Sequence, residues 1–236
     1  MPIHTTLVNP PYPQQAHQHP PFIPLGIGYL AAVLEKNQYE VDVIDCQALK
    51  LSYEDFKNEI SKRKPDIVGI TSTTLTYKSA LQIAEKSKEA NPNCLTIIGG
   101  PHVTFWDEKA LKECPHVDII VRKEGENTLL DLVKRLEAGR SYFDVIGTTC
   151  RKDDEIVKNP DRPYIENLDE LPFPAHNLFL LRAYAKIRQS RVSCLHKSRL
   201  HILVQFLLSC QNVWQKISNE KPEKRRRRTR IPKTKV

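Results

Sequence analysis

Between residues 4 and 138, short β-branched runs alternate with longer stretches of helical period, and no other feature constrains the fold as tightly. The runs predict five strands, at His4–Asn9, Glu40–Asp45, Ile67–Thr71, 95–98 and 118–121, with helices starting near Leu25, Tyr53, Thr76 and Asp107 and a last one following Asn127. Within 77–90, Ala80, Ile83, Ala84 and Ser87 share one face and Lys and Glu take the other, so the first face is expected to pack on a sheet. Repetition of strand, crossover helix and strand gives a parallel sheet covered on both faces. The expected fold class is α/β, a doubly wound parallel five-stranded sheet of flavodoxin-like or Rossmann-like form, with ligands beyond the C-terminal ends of its strands.

After Gly139 the pattern changes. Residues 145–150 and 155–157 read as a hairpin turned through 152–154, and the extended segment 166–176 reads as a connector, because Pro172 and Pro174 restrict the residues before them and block a helix. From about Ile187 no α/β pattern continues, and residues 225–228 are all arginine. The chain divides into a domain at 1–140, a connector at 141–186 and an irregular tail at 187–236.

The formal net charge of +8 follows the same division. Residues 197–236 hold 12 Lys and Arg against two acids, so the remainder is slightly acidic, and no nucleic-acid partner is expected of the folded part. The cysteines Cys46, Cys94, Cys114, Cys150, Cys194 and Cys210 show no CxxC or CxxxCxxC spacing, which argues against a disulfide framework or a zinc site and fits a reducing cytoplasm. No segment has the zones of a signal peptide, and the longest late apolar run, 201–210, is too short to span a bilayer, so cytoplasmic localisation without a membrane partner is expected. The oligomeric state leaves no trace in the sequence.

The chemistry-bearing residues gather just after the strands. A proline-rich loop follows Asn9 and enters a helix at Leu25 and Gly26, with Gly28 in the same turn, where glycines let another group approach the backbone or serve helix–sheet packing. Strand three runs into Thr71, Ser72, Thr73 and Thr74, whose hydroxyls suit a ligand's amides or a helix cap. Strand four ends in Gly99, Gly100, Pro101 and His102, where paired glycines admit a flat ligand against the main chain or make a tight turn. Strand five leads to Glu124, Gly125 and Glu126, with Asn127 or Thr128 as a cap for the last helix and acids suited to its dipole. His17 and His19 in the first loop read as solvated.

The segments VNPPYP, PPFIPLGIGYLAAVLE, VGITSTTLTYKSALQIAEKSKE, GGPHVTFWDEKALKE, VDIIVRKEGENTLLDLVKRLE and ENLDELPFPAHNLF, in order across residues 3–186, resemble the N-terminal half of cobalamin-binding radical S-adenosylmethionine (SAM) proteins. The resemblance implies a corrin ring over the C-terminal edge of the sheet, with contacts from Leu25, Gly26, Thr71, Ser72, Thr73, Thr74, Gly99, Gly100, His102, Glu124, Gly125 and Glu126. Two departures stand out. Lys123 occupies a place where the resembled family usually has glycine, and the Asp-x-His-x-x-Gly loop of methionine-synthase-like cobalamin domains is absent, so cobalamin is expected to bind without a lower histidine ligand.

In that family a barrel follows whose CxxxCxxC motif holds a [4Fe–4S] cluster that binds SAM. That spacing is absent here, so neither the cluster nor SAM is expected on this chain, no catalytic residue is assigned, and enzyme activity is left open. The tail reads as that barrel's start out of frame. Taking each codon from its second base turns Trp214 into a glycine position by necessity and permits cysteines at Leu200, Val204 and Leu207 with CxxxCxxC spacing, which places the shift between about Ile187 and Ser193. The alternatives from other classes are a stand-alone corrinoid carrier or sensor, a receiver-type signalling domain and a nucleic-acid binder acting through the basic tail. The receiver domain needs clustered acids after strand one and an aspartate after strand three, and Asn9 and Thr71 to Thr74 occupy those places.

Overall fold

The computed structural model describes residues 3–13, 22–153 and 155–184. Its strands are β1 (His4–Asn9), β2 (Glu40–Asp45), β3 (Ile67–Thr71), β4 (Leu95–Gly99), β5 (Ile119–Val121), β6 (Thr148–Lys152) and β7 (Glu155–Lys158). Its helices are α1 (Leu25–Lys36), α2 (Cys46–Leu49), α3 (Tyr53–Arg63), α4 (Tyr77–Ala90), α5 (Pro101–Thr104), α6 (Asp107–Glu113), α7 (Glu126–Glu137) and α8 (Leu181–Tyr184).

The α/β class holds, with one correction: among the described residues the sheet has seven strands, in the order β2-β1-β3-β4-β5-β6-β7. β1 to β5 are parallel, and the hairpin read as part of the connector adds antiparallel, with Ile119 opposite Cys150 and Val121 opposite Thr148. The antiparallel edge pairs with β5 directly and needs no crossover helix.

Alternation along the parallel strands builds two cores. Leu7, Ile67, Ile97 and Ile119 face one side and pack under α1 and α7 with Ile27, Ala31, Leu129 and Leu132. Val8, Val68, Ile98 and Ile120 face the other and pack under α3, α4 and α6 with Phe56, Ile83 and Leu111. Burial on both faces explains the near-continuous apolar runs of these strands. Ala80, Ile83, Ala84 and Ser87 of α4 are all buried, as their spacing predicts.

Local signals set several element ends. Ser52 and Asp55 form a capping box at α3, and the Asp45 side chain accepts from the N–H groups of Gln47 and Ala48 to start α2. The expected caps elsewhere are corrected. α7 starts at Glu126 with Gly125 before it and no side-chain cap, while the Thr128 hydroxyl accepts from Arg162 Nε at 2.9 Å. Thr73 and Thr76 hydrogen-bond each other ahead of α4 and do not cap it.

Residues 159–184 run along the α1 side of the sheet. Ala175 N–H donates to Gly28 O at 3.0 Å, Asn177 Nδ2 to Glu35 Oε1 at 3.2 Å and Lys36 Nζ to Glu170 O at 3.0 Å. At the end of this strap the buried Tyr184 hydroxyl donates to Asp45 Oδ2 at 2.5 Å, and Asn9 Nδ2 donates to Asp45 Oδ1. Residues 185–236, which hold the tail, and 14–21, which hold His17 and His19, lie outside the described residues.

Candidate functional site

The C-terminal ends of β3, β4 and β5 and the N-terminal turns of α1 and α7 enclose a cavity of about 290 Å³. Its floor is apolar, from Leu7, Ile97, Val121 and Leu129, and Leu30 of α1 closes a side. It lies at the low end of the roughly 300–1,000 Å³ typical of small-molecule sites.

Seven of the residues singled out in the sequence line it: Gly26, Thr71, Gly99, Gly100, Glu124, Gly125 and Glu126. Leu25, Ser72, Thr73, Thr74 and His102 do not. Ser72 is fully buried, its hydroxyl has no hydrogen-bond partner, and its N–H donates to Gly99 O at 2.8 Å. His102 Nδ1 lies 3.3 Å from Thr74 Oγ1 and its ring lies 4.3 Å from that of Tyr77, so these residues form a cluster of their own beside the cavity. Leu7, Leu30, Ile97, Val121 and Leu129 escaped the sequence reading, because an apolar residue inside a strand or helix looks like any core residue, whereas Lys123, singled out as a departure, does line the cavity.

Two glycines separate the readings offered for them. Gly28 serves packing: a Cβ there would stand 3.0 Å from Pro174 Cβ of the strap, whereas one on Gly26 would meet nothing within 4 Å. Gly100 makes the tight turn. Its φ is +108°, and a Cβ would stand 2.4 Å from Ser72 O, so no other residue fits beneath the edge of the cavity.

The loop from β5 to α7 carries the charged groups. Lys123 has φ +60°, a left-handed backbone that favours glycine and so accounts for the glycine usual at this place in the resembled family. Its Nζ pairs with Asp161 Oδ2 at 2.7 Å, and the hydrogen bond from that ammonium holds the Asp161 carboxyl below its usual range. Glu124 Oε2 accepts from Ile165 N–H at 2.7 Å, which ties this loop to the strap. Glu126 differs from both. Its Oε2 is closed to solvent and has no hydrogen-bond partner, and burial pushes its carboxyl above the usual range against the pull of the Gly125 and Glu126 N–H groups, with the Glu124 charge adding to the rise.

Among the described residues no histidine lines the cavity, and no group of three or more His, Cys, Asp and Glu is placed to hold a metal ion. The four described cysteines are buried singly, and burial pushes the Cys46 thiol up to about 12. Among the described residues no helix is long and apolar enough to cross a membrane.

Residues 18–133 match the family described as B12 binding domain. An uncharacterised methyltransferase of Pyrococcus horikoshii is 39% identical over 161 residues, covering 68% of this chain and 35% of its own length. The anaerobic magnesium-protoporphyrin IX monomethyl ester cyclase of Rubrivivax gelatinosus is 37% identical over 153 residues, 63% of this chain and 28% of that protein. This chain thus spans about a third of the curated relatives it matches. Among solved structures, the cobalamin-dependent S-adenosylmethionine radical enzyme OxsB with aqua-cobalamin and S-adenosylmethionine bound superposes with a TM-score of 0.67 at 26% identity, over 79% of this chain and 25% of that one.

Proposed function

We propose, for a chain whose residues 18–133 match the B12 binding domain family, that the cavity at the C-terminal edge of the sheet holds part of a cobalamin as the corrinoid-binding half of a radical SAM methyltransferase or related oxidoreductase. The observation that carries this reading is the position of the cavity, lined by matched residues apart from Leu7 and set at the strand ends where α/β sheets take ligands.

The residues present fit the group. Thr71, Gly99, Gly100 and Gly26 give a largely backbone rim on which a macrocycle can rest, and the apolar slot below suits the lower benzimidazole arm. None of the described residues on the cavity wall is a histidine, so these residues would hold the corrinoid without offering cobalt an imidazole, in keeping with the base-off binding proposed. Bound cobalamin supplies a cobalt centre able to carry a methyl group, and the chain's own residues position it and shield its lower arm from water. In the division proposed, residues 1–140 hold the corrinoid, 141–186 connect it to whatever follows, and 187–236 are the out-of-frame segment. Stop codons scattered through the +1 frame after codon 197 would remove that last proposal.

The test is the visible spectrum of the 236-residue chain after incubation with hydroxocobalamin or methylcobalamin and desalting. Retained corrinoid with a base-off spectrum is expected. No retention, or the spectrum of a histidine-ligated cobalt, overturns the assignment.

A further inference from the structure

The parallel ladder closes at the pair Gly99 and Val121, and past it the chains leaving β4 and β5 part. The first turns at Gly100 into α5. In the second, Arg122 N–H donates to Gly147 O just before β6, and Lys123 turns left-handed toward α7. Both turns supply cavity wall, Gly100 and Pro101 from one and Lys123, Glu124, Gly125 and Glu126 from the other. Their spacing therefore sets the opening of the slot, at a point the strand ladder no longer governs.

Thr104, the last residue of α5, spans the two turns. Its hydroxyl donates to Gly100 O at 3.0 Å, four residues back along the same helix, and accepts from Lys123 N–H at 3.0 Å. A threonine hydroxyl has one donor and two acceptor positions, and in a helix it can settle into the rotamer that reaches the carbonyl four residues back. The first bond thus aims the oxygen for the second. The residues so joined both stand at positive φ, +108° for Gly100 and +60° for Lys123, and a lysine keeps such a backbone only where its surroundings hold it. Thr104 does not itself line the cavity, so whatever it does for a guest passes through these two turns.

We propose that Thr104 is a positioning residue for the corrinoid: its hydroxyl fixes the distance between the two turns and so sets how tightly the folded chain retains its guest. The inference rests on the corrinoid reading above. Without the hydroxyl, the second turn keeps its ties to the strap, through Lys123 with Asp161 and Glu124 with Ile165, but loses this one to the first. Binding must then order the turn as well as fill the slot, which weakens affinity.

The experiment compares the full chain with Thr104→Val, which keeps the branched shape and loses both bonds, and with Thr104→Ser, which keeps the hydroxyl. Affinity and dissociation rate are measured for hydroxocobalamin, together with chemical denaturation of the free chain and amide exchange at Lys123. Thr104→Val is expected to weaken binding about tenfold, the scale of one net hydrogen bond, chiefly through faster dissociation. Thr104→Ser should stay close to wild type. A threonine that only stabilised the fold would lower the unfolding free energy and leave the affinity of the folded chain unchanged. That result overturns the proposal, as does equal weakening in Thr104→Ser. If Thr104→Val does not fold, wild type decides: a Lys123 amide that gains protection when hydroxocobalamin binds supports the bridge, and one that does not overturns it. Failure of wild type to retain hydroxocobalamin is a separate result and overturns the corrinoid reading itself.

Discussion

Arg122 and Glu126 are ionisable groups four residues apart after β5, and their surroundings are opposite. The Arg122 guanidinium is 3% exposed and fully engaged: it donates to Asp161 through Nε at 3.0 Å and Nη2 at 2.8 Å, to Thr148 O at 2.6 Å and to Asn159 O at 2.5 Å, with Asp107 at 3.6 Å. Asp107 in turn is held by Thr149 and Lys158. Glu126 lines a cavity with one oxygen unmatched. Since a buried charge is costly unless its hydrogen bonds are complete, Arg122 stays charged within its completed set, whereas the incomplete set around Glu126 goes with a carboxyl raised above its usual range.

The largest effect that bears on this contrast is expected from Arg122→Met. It removes the charge, strips Asp161 of two hydrogen bonds and Asn159 O and Thr148 O of one each, and takes the neighbouring cation from buried Asp107, so chemical denaturation should show a loss of about 3–5 kcal/mol. A loss below about 1 kcal/mol would mean that the network is not what pins the hairpin to β5.

The two groups should also answer pH in opposite directions. Burial works against ionised Asp107, but the hydrogen bonds from Lys158 and Thr149 outweigh it and lower its carboxyl, while Lys123 lowers that of Asp161. A carboxyl depressed by folding adds stability above its unfolded value and loses it as pH falls through the folded one, so the hairpin corner weakens in acid. Glu126 is raised, so the folded state holds its proton longer, and its contribution is lost as pH climbs from the ordinary Glu range to the raised value. Melting curves of wild type and Glu126→Gln should part as pH climbs through that range and stay apart by a constant amount above it. Identical curves would remove the contrast.

The smallest effect should come from Lys123→Gly, between the two. Relief of the left-handed backbone is worth about 1 kcal/mol, against a half-exposed Asp161 pair worth about 0–1 kcal/mol, so the variant should be equal to wild type or more stable by less than about 1 kcal/mol. A clear destabilisation would show that the Lys123 ammonium ties the strap down more firmly than its exposure suggests.

The same contrast marks what could be read from the sequence. β1, β2 and β3 match their expected bounds: β3 (IVGIT) reads as the apolar run that two-sided burial writes, while β1 and the edge strand β2 (EVDVID) mix β-branched with polar residues and are bounded by the breaks around them. β6 and β7 were legible as a hairpin but not as sheet edge, since THR-like and charged residues in TTCRK and EIVK carry no periodicity and what docks them is the Arg122 network. Of the site, the glycines, Thr71 and the acidic loop could be found because they break strand chemistry at strand ends. Whether Gly28 served a ligand or Pro174 could not, because the answer lies almost 150 residues further along the chain.

The bond from Tyr184 to Asp45 joins residues 139 apart in sequence. A contact of that span closes a very long loop, so its entropy is recovered only after the strands between are already in place. The strap should therefore be a late-forming and early-opening unit, with the amide protons of Ala175 and its neighbours exchanging through local release while those of β3 and β4 wait for global unfolding. Hydrogen exchange would then resolve two cooperative tiers in one chain, with the upper tier containing the cavity.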